Sequence, residues 1–212
     1  MVYKIWKGDV MKKILFFMFF IVSIYPKIEL ISISSGNSFY AKQRQVVYED
    51  SKMTSDKDYK FNDVSNFRLE IYDKILTVKN NNLYRGVGIK FEEYANVDSS
   101  YTELNCFIPI YFSVLYTKEL NPISYYGKFN IGKELALDKK KVNELDSELT
   151  GGVYYGIETG IIYENIYLGI NYGQTSSKLE SSENQTRKEG KVDIDSSIIG
   201  LVLGYKIGRA SC

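Results

Sequence analysis

Six ionisable side chains share one parity of an alternating polar–apolar chain: Lys90, Glu92, Glu103, Lys128, Glu134 and Glu158. Ammonium and carboxylate groups so placed can pair as a buried polar network, line a water path, or act as acid and base. The 212 residues contain no histidine. Ser–His and His–Asp catalysis and imidazole metal ligation are therefore excluded. Asp and Glu are plentiful, yet their spacing marks no catalytic pair. A carboxylate-dependent hydrolase thus ranks last, and the chain reads as a non-enzyme with no cofactor and no metal.

The elements that must position these groups are clearest at 151–172, GGVYYGIETGIIYENIYLGINY. Val153, Tyr155, Ile157, Thr159 and Ile161 fall on one face; Tyr154, Gly156, Glu158 and Gly160 fall on the other. After a break at Tyr163, Glu164 and Asn165 the alternation resumes with Ile166, Leu168, Ile170 and Tyr172. Period-two alternation across a tight break is a hairpin. Its second face carries small residues with scattered polar ones, as in the lumen of a membrane barrel. A soluble, tyrosine-rich sandwich is the alternative. The 19 tyrosines suit strands, and equally suit a water–lipid boundary.

The same alternation recurs along the chain. Phe67, Leu69 and Ile71 alternate, although Leu69, Tyr72, Ile75 and Leu76 also fit a helical period. Residues 83–94 place Gly86, Gly88, Lys90 and Glu92 opposite Val87, Ile89 and Phe91. Leu104, Cys106, Ile108, Ile110, Phe112, Val114 and Tyr116 form one face of a long strand. Pro109, on its other face, must sit at a bulge or an unpaired position, since it cannot donate to a ladder. Tyr125, Phe129, Ile131 and Leu135 then face out, with Lys128, Asn130 and Glu134 facing in. A last strand at 191–207 carries Ile199, Leu201, Leu203, Tyr205 and Ile207 outward. Connections near 80–82, 117–122 and 163–165 are short, whereas those at 95–100, 138–150 and 181–190 are longer and polar. Such alternation suits short periplasmic turns and long outer loops. With a first strand near 45–50 and a polar loop at 51–65, the strands number eight. The expected fold is an all-β, antiparallel up-and-down transmembrane β-barrel.

The N-terminus reads as an export signal. Met11, Lys12 and Lys13 supply a charged start, and the apolar run at 14–24 is too short for a membrane-spanning helix. Residues 1–10 resemble no ordinary signal opening and read as a spurious extension. The expected division is a signal peptide at 11–38, a mature start between Ser35 and Lys42, a barrel at 42–207 and a short tail at 208–212. Cys106 reads as a small lipid-facing hydrophobe and Cys212 as the last residue, so no disulfide framework is indicated.

LEIYDK, NNLYRGVGIKFEEYA, FIPIYFSVLY, NPISYYGKFNIGKELAL and IGLVLGYKI resemble successive strands of the small outer membrane protein β-barrel family. The likeness is nearest to OmpA/OmpX-like eight-stranded barrels of fusobacterial type, in AT-rich Gram-negative organisms, and covers about 67–207. Pro109, the pair Pro122 and Tyr125, and the closing Gly204, Tyr205 and Lys206 carry it. The resemblance implies the cell outer membrane, outer-membrane lipid and the barrel-assembly machinery as partners, and no enzyme. Relatives end on an aromatic after Gly-Tyr-Lys; this chain has Ile207 and five more residues, which puts efficient assembly in question.

The near balance of 27 basic and 26 acidic residues gives no field for nucleic acid. The expected role is structural or surface-interacting. The outer loops would touch host or envelope ligands, and the lumen would be filled by polar side chains. A small pore or transporter for ions or small solutes is the alternative.

Overall fold

The computed structural model describes residues 28–49, 52–61, 63–95, 107–136, 146–182 and 189–208. All of its elements are strands: β1 (Leu30–Glu49), β2 (Lys52–Phe61), β3 (Asp63–Val78), β4 (Asn81–Ala95), β5 (Phe107–Glu119), β6 (Ile123–Ala136), β7 (Asp146–Tyr163), β8 (Ile166–Ser182) and β9 (Glu189–Gly208). Every strand pairs antiparallel with its neighbour, and β1 also pairs with β9, which closes the sheet.

The nine strands make an eight-walled barrel. Ala41 faces Phe61 and Ser38 faces Val64, so β2 and β3 run along β1 in one unbroken register. Together they form a single wall. A path along the register leads from Leu30 through Tyr72, Gly86, Ser113, Asn130, Gly156, Gly173 and Ile198 to Ala41. Back on β1 the path has climbed eleven residues. One of these is Phe39, the extra residue of the bulge between Ser38 and Tyr40. A stagger of ten over eight strands tilts them by about 43° and leaves a backbone radius of roughly 8 Å, a bore that side chains can fill.

Alternation decides which side chains meet which solvent. Phe112 is 67% exposed and Leu203 59%, on an outer wall that also carries Ile157, Ile170, Phe129 and Ile131. Tyr116, Tyr125, Tyr163 and Tyr205 ring the end with the short turns, and Tyr40, Tyr155 and Tyr172 stand towards the other end. An exposed apolar band between two aromatic girdles is the outer surface of a membrane barrel. The strand at Phe67, Leu69 and Ile71 is β3, not a helix: pairing to both β1 and β4 overrides the local 3.6-residue spacing.

Two expectations change. Within the stretch 51–65, residues 52–61 are strand β2 and residues 63–65 begin β3, not a loop. Its lack of apolar alternation reflects its position above the lipid, where both faces are wet. There Lys42 pairs with Asp58 at 2.9 Å, and the Arg44 guanidinium donates two bonds to Asp56, at 2.9 and 2.6 Å. The Arg44 bonds hold the Asp56 carboxyl below its usual range. Strand β1 likewise begins at Leu30, well before 45, within the stretch read as signal peptide. Its inward residues Ser32, Ser34, Gly36 and Ser38 are small, as around a cleavage site, but here they suit a crowded lumen. Pro109 fits its position: the ladder between β4 and β5 stops at the rung Ile89–Ile110, one residue short of it.

Leu30 to Ser38 pair with both β3 and β9 and are the segment that closes the ring. Cleavage after Glu29 would therefore cut into the segment that closes the ring. N-terminal sequencing of protein extracted from outer membranes should give a start no later than Glu29; a start at Lys42 would remove the closing strand and contradict this architecture.

Candidate functional site: the lumen

The inner face is built by a repeated device. A luminal tyrosine lies across the rung from a luminal glycine in the pairs Tyr72–Gly86, Tyr111–Gly88, Tyr126–Gly160 and Tyr167–Gly204. A Cβ at Gly86 or Gly204 would fall inside van der Waals contact with the opposing ring. Glycine is thus required by the ring above it, and the rings fill the bore.

At mid-height the charged groups converge. Arg68 and Glu70 come from β3, Lys128 from β6 and Glu158 from β7; the Arg68, Lys128 and Glu158 side chains are only 1–3% exposed. The Arg68 guanidinium is paired with the Glu158 carboxylate. Since β3 and β7 stand four walls apart in a ring of eight, this pair spans the diameter. Lys128 Nζ donates to both Glu70 oxygens at 3.0 Å and lies 3.2 Å from Glu158. Tyr126 donates to Glu158 at 2.9 Å and Tyr111 to Glu70 at 2.8 Å. Arg68 also donates to Asn66 at 3.2 Å. With the Asn171 amide oriented to suit its neighbours, it accepts from Arg68 at 3.1 Å and donates to the Gly200 carbonyl at 3.0 Å. Two cations and two carboxylates thus compensate one another within a buried layer.

Below this layer, towards the short turns, the bore closes on Leu30, Tyr72, Leu115, Tyr126, Ile162 and Tyr167, packed with Val202. Tyr126 stacks edge-on to Tyr167 at 5.5 Å, and the Tyr167 hydroxyl bonds to Ser32 at 2.8 Å, tying β8 to the closing strand. A cavity of about 20 Å³ remains between the two layers, room for about one water. Lys206 lines its periplasmic side.

Of the six residues singled out in the sequence, Lys128 and Glu158 belong to the central cluster. Lys90 and Glu92 form a separate ion pair, with the Lys90 ammonium 5.3 Å from the Tyr154 ring. Glu134 is buried and bonded to Ser177. Glu103 and Cys106 lie outside the described residues. Sequence reasoning missed Arg68 and Glu70, although they take the inner parity once Phe67, Leu69 and Ile71 are read as the outer one.

No protein-family model and no curated protein matches this sequence. Solved structures do. The outer membrane protein OprG from Pseudomonas aeruginosa superposes with a TM-score of 0.50 at 12% identity, covering 86% of this chain and 97% of that one. This is the fold of a small outer-membrane barrel. The outer membrane protease OmpT from Escherichia coli matches at 9% identity and TM-score 0.45, over 84% of this chain and 97% of that one. Neisserial surface protein A matches at 12% and 0.42, with the same coverage. A shared fold assigns no activity by itself.

The cluster predicts a specific stability pattern. Glu158→Leu leaves Arg68 and Lys128 sharing one carboxylate in the buried bore and should cost about 3–5 kcal/mol. Adding Arg68→Met should recover part of that loss, because the uncompensated cation is gone. Urea midpoints of refolded protein measure both effects. An unchanged midpoint for Glu158→Leu would contradict the pairing.

Proposed function

We propose that this protein is a non-conducting, non-enzymatic outer-membrane barrel that presents its outer end to surface ligands of the host or envelope. One observation carries the reading: an ion pair from opposite walls meets at the barrel centre, above a tyrosine and aliphatic layer, so side chains replace a water column. The buried carboxylates Glu70 and Glu158 are committed to cations and tyrosines, which leaves no free acid–base pair in that layer.

What the molecule offers is a raised rim. The β1–β2 hairpin, the β7–β8 pair and the β8–β9 pair continue their ladders past the apolar band, to Glu49–Lys52, Asp146–Ser182 and Ser182–Glu189. Paired strands hold a rim more rigidly than free loops would, so less ordering entropy is lost when a ligand binds. The polar stretches 138–150 and 181–190, which include the strand ends 146–150, 181–182 and 189–190, are the proposed contact regions.

Shortening 183–188 to a tight turn should lower binding of cells to host matrix or envelope components while the barrel still migrates as a folded species before boiling. Undiminished binding in that variant would argue against a surface role for this rim.

A further inference from the structure

One stripe of the outer wall is covered. Ile71 on β3, Val87 and Ile89 on β4 and Ile108 on β5 take the outward parity, alternating with luminal Glu70, Gly88 and Tyr111. Yet these four apolar side chains are only 3–9% exposed. Their rung neighbours show the contrast: Phe112, beside Val87, is 67% exposed, and Leu135, beside Ile108, 46%. Flanking strands lie edge to edge in the wall and do not roof an outward side chain. Ile108 stands two strands across and four residues up from Ile71, about 16 Å away. Both steps climb in a barrel whose strands tilt by about 43°, so the stripe runs nearly parallel to the barrel axis. At its periplasmic end Ile28 and Ile31 pack on Ile71 and Val87. Ile28 stands before β1, so the chain that precedes the barrel arrives on this stripe.

We propose that the apolar run 14–24, ILFFMFFIVSI, lies along this stripe in the assembled protein and is retained there, not removed after export. In hydrocarbon the run must be helical to satisfy its backbone, and eleven residues then extend about 16 Å. That is too short to span a bilayer alone, but it matches the stripe from Ile71 to Ile108. Pro26 ends a helix where the chain must reverse into β1. With Ile28 at the periplasmic end, the run ascends towards its N-terminus and brings Lys12 and Lys13 to the outer end, among anionic headgroups. In lipid such a contact rests on close packing, which the Phe-rich run and a flat wall of Ile and Val supply. The other stretch next to the stripe, the β4–β5 connection at 96–106, carries Asp98 and Glu103, which hydrocarbon disfavours.

The test begins with the intact mass of the native chain extracted from outer membranes, which needs no variant. A mass that includes residues 14–24 is expected; a chain that begins after Ile24 would overturn the proposal. Position is read in the full chain with the photoreactive residue benzoylphenylalanine in place of Val87, folding being verified by the mobility shift on boiling. Irradiation should join that probe to a peptide within 14–24 of the same chain, whereas the same probe in place of Leu203 should take up only lipid. A probe at position 87 that captures lipid alone, residues 96–106 or another protein would show a different occupant and overturn the proposal.

Discussion

The bore of this barrel is the constraint from which its other features follow. Eight strands offset by ten residues leave a cylinder in which side chains from opposite walls touch. At mid-height Arg68, Glu70, Lys128 and Glu158 form one neutral group, and their spare donors and acceptors go to tyrosine and amide side chains. Inside the bore two large rings cannot face each other across a rung, so tyrosine is paired with glycine. The luminal tyrosine–glycine pairs are the packing solution for a narrow tube.

The outer wall obeys a different solvent. Within the band lipid selects Ile, Leu, Val and Phe, and the exposed tyrosines stand at its ends where a hydroxyl can stay wet. Above the band the strands continue with water on both sides, and their register rests on backbone ladders and on ion pairs such as Arg44–Asp56. Exposed pairs of that kind are worth little individually. The rim therefore depends on its continuity with the barrel below.

This change of solvent explains what could be read in advance. Between the girdles one face is greasy and the other is not, and the strands from Leu83 to Ile207 were visible as alternation. Outside them the contrast vanishes, which is why 51–65 looked like a loop although it pairs with β1 and β4. The first strand was obscured for another reason: Ser32, Ser34, Gly36 and Ser38 are small enough to suit either a cleavage site or the lumen, and only closure against both β3 and β9 distinguishes the two. The inner parity of Lys90, Lys128 and Glu158 follows from local pattern. That Arg68 would reach Glu158 does not, because it depends on which strands end up opposite each other when the ring closes.

The most direct test is ionic conductance of the refolded mature protein in a planar bilayer. A side-chain-filled bore predicts insertion without discrete ohmic steps in the native chain. Stable unitary conductance steps that respond to neutralising Lys128 or Glu158 would contradict the filled lumen and make the protein a pore.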